Sequence, residues 1–327
     1  PILRLSPVPM YLLSEFVHQQ HIKVVLTGEG ADELFAGYDI FKETMIRYFW
    51  ARVPDSKYRY LLLSRIYGHI SDLQKLPPAA LRLFYAQGLT DTGNRCYSHL
   101  LRWQNTYRAS RFFSKALRNE LGSYSVVQDV ESRLPAGISS WDELARAQYL
   151  EIVSFLSTYL LSSQGDRMLM AHAVEGRYPF LDPAVIRIAT KLPRPAKLSG
   201  VRNEKVVLKT AVRDLVPPEI LARPKVPYRA PIKSCFCGRA LPDYAEHLLS
   251  VDSLEANGNF DPRAVQMLLS KVRSSSRMSE ADQMAFVGIL TFQLFDLCFV
   301  RDWKHQRSNY TRAIDLIDVR ACSGSQI

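Results

Sequence analysis

The chain has 327 residues, of which 47% are hydrophobic and 23% charged, so it is long enough to form one large core or two smaller ones. Its five cysteines, an odd number, argue against a disulfide framework and favour a reducing, cytoplasmic setting. The net charge of +10 allows a polyanionic substrate, a nucleic-acid surface or the basic half of a larger protein, and charge alone does not separate these classes.

The composition also argues against membrane-spanning and zinc-binding classes. No stretch of about 18 uncharged apolar residues occurs, so no membrane-spanning segment is expected. The most apolar segment, residues 281–300, contains Asp282 and Asp296 and is predicted to form a buried helix. Cys235 and Cys237 form a Cys-x-Cys pair without a second pair at ligand spacing, so zinc is not expected there.

The amino-terminal region has the pattern of an α/β unit. Residues 8–20 carry apolar side chains at a helical period. Residues 21–27 form a short segment that is rich in β-branched side chains and is followed by a glycine, which predicts a buried strand. Residues 28–30 interrupt that strand, and residues 31–35 carry acids where a helix would begin. A helix, a strand, a glycine turn and a helix together predict an α/β sheet.

The rest of the chain is mainly helical in pattern. Residues 41–135 are rich in aromatic side chains, and Ser140 and Glu143 have the spacing of a capping box that opens a helix running to about Leu161. The sequence predicts only one strand, which is few for a complete doubly wound sheet. We therefore expect part of the sheet to lie upstream of residue 1.

Three carboxylates crowd the turn that follows the predicted strand. Glu29, Asp32 and Glu33 lie where ligands bind in α/β sheets, at the carboxyl end of a strand and the start of a helix. A phosphate there would be repelled unless a divalent cation bridged it, and Mg²⁺ held by Asp32 and a polyphosphate meets that need. The alternative is a tight glycine turn whose acids only cap a helix.

A second charged segment follows in the middle of the chain. Glu175 and Arg177 are predicted to lie at the end of a helix that stops at Pro179. Charges at a helix end form either part of a functional site or an ordinary network of ion pairs, and the spacing alone allows both interpretations.

The third segment is basic. Lys205, Lys209 and Arg213 recur every fourth residue and would form a stripe on a helix, which is commonly a solvated face. Residues 223–231 form a basic loop stiffened by prolines, and stiffness is what a loop needs to place a cation such as Lys225 near phosphate.

Taken together, these segments resemble the synthetase domain of the glutamine-dependent asparagine synthases over roughly residues 8–300. Four motifs in the family's order are far more specific than any one of them and favour the functional interpretations above. The matching segments are Thr27-Gly28-Glu29-Gly30-Ala31-Asp32-Glu33 (Ser-Gly-Glu-Gly-Ser-Asp-Glu in the family), residues 174–182 (Val-Glu-Ala-Arg-Val-Pro-Phe-Leu-Asp), Glu204-Lys205 with Leu208-Lys209 (Glu-Lys-x-x-Leu-Arg), and Arg223-Pro224-Lys225.

The resemblance implies a fold and a domain organisation. It implies an α/β fold with a partial parallel sheet of the PP-loop (adenine nucleotide alpha hydrolase-like) type and a large helical portion. Residues 1–300 would form the C-terminal part of an asparagine synthetase domain, residues 301–327 would form a C-terminal tail, and a homodimer is compatible with this arrangement. The family's Ser-Gly-Gly-x-Asp-Ser pyrophosphate loop and its N-terminal glutaminase lie upstream and do not occur in this sequence. We therefore expect a truncated form, a processed fragment or one chain of a split enzyme, inactive alone.

The resemblance also implies a reaction with ATP and Mg²⁺ as cofactors. Relatives activate the side-chain carboxylate of aspartate with ATP to give an acyl-adenylate and pyrophosphate, and ammonia derived from glutamine then displaces AMP. Asp32 would hold Mg²⁺ on the pyrophosphate. Glu29 would help to form the intermediate and would take a proton from the amine. Lys205 would stabilise the charge that develops on the adenylate or the pyrophosphate.

Six further positions are carried over with less specific roles. Their side chains or backbone would contact the nucleotide or shape its pocket. Thr27, Gly28, Gly30, Arg177 and Lys225 are expected to bind the nucleotide, and Glu175 is a further catalytic candidate.

Three alternatives are left open by the sequence. A relative that forms another amide, such as a β-lactam synthetase or a lasso-peptide cyclase, would keep the adenylation site and lose the glutaminase. A tRNA-modifying ATPase of the same fold would suit the charge of +10, but it would not be expected to carry segment 175–182, so nucleic acid is not the expected partner. A non-catalytic fragment is the third alternative. The sequence upstream of residue 1 would discriminate the first of these alternatives from an asparagine synthase.

Overall fold

The computed structural model describes residues 1–67, 77–201, 203–223, 225–226, 228, 230–238, 240–274 and 278–301. The chain divides into two compact units. The larger unit consists of Ser6–Asn105 and Ser125–Ala230, and the smaller unit consists of Pro1–Leu5, Thr106–Tyr124 and the residues from 231 onward. The predicted tail, residues 301–327, lies outside the described residues apart from Arg301.

The first half of the chain is mostly helical, as predicted. Its elements are α1 (Pro7–Gln19), β1 (Val24–Leu26), α2 (Ala31–Leu34), α3 (Asp39–Ala51), a 3₁₀ helix (Arg59–Arg65), α4 (Pro78–Tyr85), α5 (Tyr97–Tyr107), a 3₁₀ helix (Arg108–Phe112), α6 (Lys115–Leu121), α7 (Val126–Ser132), a 3₁₀ turn (Ile138–Ser140), α8 (Glu143–Glu151) and a π-helical continuation (Ile152–Asp166).

The second half has three more strands, and most of its helices are short, with α17 and α18 as the long ones. Its elements are α9 (Arg167–Met170), β2 (Glu175–Arg177), a 3₁₀ turn (Pro179–Leu181), α10 (Pro183–Lys191), α11 (Arg194–Lys197), β3 (Leu198–Ser199), β4 (Asn203–Glu204), α12 (Val206–Ala211), α13 (Pro218–Leu221), α14 (Ile232–Phe236), α15 (Asp243–Leu248), α16 (Val251–Asn257), α17 (Pro262–Arg273), α18 (Glu280–Asp296) and a final π-helical turn (Leu297–Arg301).

The predicted α/β class is confirmed in its coarser form, a mainly helical chain with a small parallel sheet. Strands β1 and β2 are parallel, with Val24 opposite Glu175 and Leu26 opposite Arg177. Strands β3 and β4 form a separate antiparallel pair. The sequence predicted that Glu175 and Arg177 lie at the end of a helix that stops at Pro179, and this is wrong. Ala173 has a φ of +53°, a left-handed conformation that ends the helical path, and the chain continues as β2.

Strand β1 is shorter and more exposed than predicted. The sequence suggested a buried strand over residues 21–27, but β1 covers only Val24–Leu26. The side chains of Val24 and Leu26 are 43% and 76% exposed. Within the described part of the chain β1 pairs on one edge only, with β2, so much of its apolar surface is uncovered. The predicted burial is therefore not observed.

The helix predicted from the capping box exists but begins differently. Asp142, not Ser140, caps it, because the Asp142 side chain accepts a hydrogen bond from the Leu144 amide. Ser140 instead belongs to the preceding 3₁₀ turn. The helical path continues through the π-helical segment and α9 to Met170, beyond the predicted end at Leu161.

Helix α18 lies in the core of the smaller unit, as the predicted buried helix requires. Its core-facing side chains include Phe286 and Leu290, which pack among the buried residues of α15, α16 and α17. By length and composition alone, the helical segment Glu280–Arg301 is nevertheless long and apolar enough to cross a membrane. Its most apolar stretch has a mean hydropathy of 1.7, and 39% of that stretch is buried inside the protein. The sequence analysis expected no membrane-spanning segment because Asp282 and Asp296 interrupt the apolar residues of this helix.

Candidate active site

The turn between β1 and α2 is built around Gly30. The Thr27 amide donates to the Arg177 carbonyl at 2.9 Å and extends the contact between the two strands. Gly30 then adopts a φ of +90°, and a Cβ atom there would overlap the side chain of Leu181. Only glycine fits this conformation and this close approach. The first and second sequence motifs therefore meet at Gly30.

Asp32 is the centre of the site. Its side chain, in a residue that is 9% exposed, binds two ammonium groups. Lys205 Nζ lies 2.8 Å from Asp32 Oδ1, and Lys225 Nζ lies 3.0 Å from Asp32 Oδ2. Lys225 Nζ also lies 5.6 Å from the centre of the Tyr38 ring, within cation–π range. Three of the four sequence motifs thus contribute a charge to one cluster.

The position of Lys205 is fixed by its neighbours. Lys205 has a φ of +54° and its backbone amide donates to the Phe35 carbonyl at 3.2 Å. The preceding residue, Glu204, is 2% exposed and binds Lys42 Nζ and Lys209 Nζ at 3.1 Å each. Burial works against the ionised form of Glu204, but the two lysines outweigh it and hold its pKa below the ordinary value.

The predicted basic stripe is not formed. Lys205 precedes α12 in a left-handed conformation and contacts Asp32, so it does not share a helix face with Lys209. Lys209 binds Glu204, and Arg213 lies beyond the end of α12, beside Asp214 at 3.5 Å. The three basic residues recur every fourth position in the sequence, but they do not lie on one helix because the helix begins after Lys205 and ends before Arg213.

Gly37 makes room for the contact between Lys205 and Asp32. A Cβ atom at Gly37 would overlap Asp32 Oδ1 and Lys205 Cε. We expect Gly37→Ala to separate the two charged groups and to lower the free energy of unfolding by about 1–3 kcal/mol, the usual cost of overpacking. Urea unfolding measures this change.

The control for Gly37→Ala is Gly137→Ala in the same unit. Gly137 has a φ of −85°, and a Cβ atom there would meet nothing within 4 Å. The free energy of unfolding of this control variant should change little. Equal losses for the two variants would contradict the steric role assigned to Gly37.

The two glutamates of the turn lie in different environments. Burial raises the pKa of Glu29, Lys225 opposes that rise and Asp32 adds to it. Glu33 is fully buried, burial raises its pKa to about 7, and its Oε1 accepts a hydrogen bond from the Tyr38 hydroxyl at 2.9 Å. Glu29 is thus the more accessible proton acceptor of the two.

The remaining predicted site residues lie on or beside the parallel strands. Arg177 Nε donates to Glu175 Oε1 at 2.7 Å, and both side chains are exposed. Neither side chain forms an ion pair with Asp32 or with the two lysines that bind it. Thr27 Oγ1 is buried without a hydrogen-bond partner among the described residues, whereas a Cβ atom on Gly28 would meet only open space. Gly28 is therefore the position where a ligand has room to approach the backbone.

Several residues that shape the site were missed by the sequence analysis. Gly37, Tyr38 and Gln148 stand outside the four motifs, and nothing in their local sequence sets them apart. Glu204 was noticed only as the neighbour of Lys205. Its position directly before Lys205, within the third sequence motif, is the signal that could have identified it.

Mg²⁺ fits this site only as a shared ion. No group of three or more His, Cys, Asp or Glu side chains suited to a metal is found in the described residues. Asp32 offers carboxylate oxygens, and Mg²⁺ is commonly held by one or two carboxylates together with phosphate oxygens and water. Both Asp32 oxygens contact lysines, and a polyphosphate would provide those lysines with another anion.

Comparisons with known proteins show the family to which the chain belongs. The family model described as asparagine synthase matches residues 1–296. The chain belongs to the asparagine synthase family. A putative glutamine-hydrolysing asparagine synthetase of Mycobacterium bovis is 31% identical over 304 residues, which cover 92% of this chain and 43% of that protein.

Two other relatives show the range of names within this family. A protein of Penicillium rubens named amidase chyE is 30% identical, with coverage of 83% of this chain and 41% of that protein. Glutamine-hydrolysing asparagine synthetase 1 of Bacillus subtilis is 27% identical, with coverage of 71% and 34%. This chain of the asparagine synthase family therefore spans less than half the length of these relatives.

Proposed function

We propose that this chain carries the adenylating site of an ATP-dependent amide-forming ligase that makes asparagine from aspartate and glutamine-derived ammonia. The contact of Asp32 with both Lys205 and Lys225 is the observation that carries the proposal. This contact supports the proposal because it joins one candidate metal ligand to two candidate phosphate-binding cations.

The residues divide the work between the two half-reactions. In the first, an oxygen of the aspartate side chain attacks the α-phosphorus of ATP and the bond to the β-phosphate breaks, so pyrophosphate leaves. Lys205 and Lys225 offset the charge on the phosphates. Asp32 would hold Mg²⁺, which supplies further neutralisation of the leaving group.

The second half-reaction needs a proton acceptor. The ammonia nitrogen attacks the acyl carbon, the nitrogen loses a proton, and the bond between the acyl carbon and AMP breaks. We assign that role to Glu29, because Asp32 and Lys225 act electrostatically on its carboxylate and it is less buried than Glu33. A base of this kind contributes most when its pKa lies near the working pH, and burial moves the pKa of Glu29 in that direction.

The proposal is tested with the complete enzyme, meaning this chain together with the upstream part that the family resemblance implies. We expect AMP, pyrophosphate and asparagine in equal amounts from ATP, Mg²⁺, aspartate and glutamine. Ammonium should replace glutamine as the nitrogen source. Formation of ADP and phosphate would contradict adenylation, and AMP formation that does not depend on aspartate would contradict asparagine as the product.

A different amide product is the second candidate, because relatives named asparagine synthetase and amidase are similar to this chain to nearly the same degree. The same assay distinguishes it when a panel of other carboxylic acids replaces aspartate. An acid that supports faster pyrophosphate release than aspartate would identify the true acceptor.

A further inference from the structure

Helix α2 carries Asp32 but is too short to hold itself in place. It has four residues, Ala31–Leu34, and an isolated helix of that length is unstable because its nucleation is unfavourable. The carbonyls at its end also need donors from elsewhere in the protein. Whatever supplies those donors determines where the Asp32 carboxylate stands.

The donors come from a buried amide on helix α8 and from the backbone of Lys205. Gln148 Nε2 donates to the Glu33 carbonyl at 2.5 Å and to the Leu34 carbonyl at 2.8 Å. The next carbonyl, that of Phe35, accepts from the Lys205 amide at 3.2 Å. Three consecutive carbonyls are thus held from two sides.

Lys197 fixes the orientation of this amide. Lys197 Nζ donates to Gln148 Oε1 at 3.0 Å, and an ammonium group has no acceptor, so the amide NH₂ must face α2. Both side chains are buried, Gln148 at 5% and Lys197 at 6% exposure. No carboxylate lies within ion-pair distance of Lys197 in the described part of the chain, although burying a charge without one is costly.

We propose that Gln148, oriented by Lys197, is a positioning residue that holds α2 and thereby places Asp32 for binding of a metal–polyphosphate complex. This role rests on the function proposed above, but the placement of α2 can be measured without any substrate. Gln148 does not contact the reacting atoms in this scheme, and it acts only through the backbone of residues 33 and 34.

The test is hydrogen exchange of the backbone amides of residues 31–37 in Gln148→Glu. Glutamate has the same shape and keeps an acceptor for Lys197, but it loses both donors and sets oxygens against the carbonyls of α2. We expect exchange of residues 31–37 to become about 10- to 100-fold faster, the worth of one or two hydrogen bonds. Exchange in helix α3 should stay within about twofold.

The matched control is Gln266→Glu in the smaller unit. Gln266 Nε2 also donates to a backbone carbonyl, that of Leu249, at 2.8 Å. This variant should leave exchange of residues 31–37 unchanged. Lys197→Met is a second variant, which removes the group that orients the Gln148 amide. It should accelerate hydrogen exchange of residues 31–37, and it provides the test even if Gln148→Glu fails to fold.

A second measurement tests whether displacement of α2 in Gln148→Glu weakens the binding of Mg²⁺. In the complete enzyme, Gln148→Glu should raise the Mg²⁺ concentration for half-maximal activity about tenfold, with most of the maximal rate recovered at saturating Mg²⁺. A purely structural role would lower the amount of folded enzyme without shifting that concentration.

The outcomes separate the two proposals. Unchanged exchange of residues 31–37 in both variants overturns the positioning role, and so does equal acceleration throughout the larger unit. If exchange changes as expected while the parent enzyme makes no AMP, then Gln148 still positions α2 and the proposed function is wrong.

Discussion

Asp32→Ala should reduce ATP–pyrophosphate exchange in the complete enzyme by about 10²–10³-fold, the usual cost of losing a group that stabilises transition-state charge. The substitution removes the proposed metal ligand and leaves Lys205 and Lys225 without the carboxylate that they share. Raising Mg²⁺ or supplying Mn²⁺ should restore part of the activity, because the phosphates provide the other ligands of the metal. Exchange of labelled pyrophosphate into ATP, with aspartate present, is the measurement.

Asp129→Ala is the control for this loss. Asp129 forms an exposed ion pair with Arg133 at 2.9 Å in the same unit, and such pairs contribute little. Its exchange activity should match that of the parent. If the Asp32→Ala enzyme catalyses ATP–pyrophosphate exchange at the parental rate at low Mg²⁺, then Asp32 does not bind the metal.

Glu29→Gln should separate amide formation from nucleotide binding. The variant keeps the shape of the side chain and removes its charge, so the affinity for ATP should change little. Amide formation should fall by about 10²–10⁴-fold, the contribution of a positioned acid–base group. Measuring ATP affinity, pyrophosphate release and amide yield side by side distinguishes these steps.

The pH dependence of the Glu29→Gln enzyme gives a second result. Burial raises the pKa of Glu29 above its ordinary value, with Lys225 opposing and Asp32 adding to the rise. A base must be ionised to accept a proton, so the parental rate of amide formation should increase with pH through that pKa. Glutamine at position 29 removes this increase, and the exposed Glu219→Gln retains it. If the Glu29→Gln enzyme forms amide at near the parental rate, then Glu29 serves only to form the turn and is not the base.

Part of the fold was predictable because a periodic pattern indicates the type of element that the chain forms. The helix predicted over residues 8–20 is observed as α1, although apolar side chains that gave the pattern, such as Leu12 and Phe16, are exposed. The end of the helix before Glu175 was not predictable, because Ala173 gives no local warning that it adopts a left-handed conformation. Burial of β1 was misjudged for a different reason: β-branched composition indicates a strand but cannot show whether a neighbour covers it.

The charged members of the candidate site were found from sequence, and their supports were not. Asp32, Lys205 and Lys225 are separated by up to 193 positions in the numbering yet share one cluster, as four ordered motifs implied. Gln148 and Gly37 act through hydrogen bonds to backbone and through an absent side chain. Neither interaction leaves a pattern of residue types along the chain, so only the three-dimensional arrangement identifies them.

The double contact at Asp32 also bears on the order in which ligands arrive. A metal ion that bound Asp32 alone would compete with the two lysines for the carboxylate, and it would bring no anion to offset the charge of those lysines. A metal ion that arrives on a polyphosphate supplies that anion in the same event. The affinities for metal and polyphosphate are then coupled, and because such coupling is reciprocal, each tightens the other by the same factor.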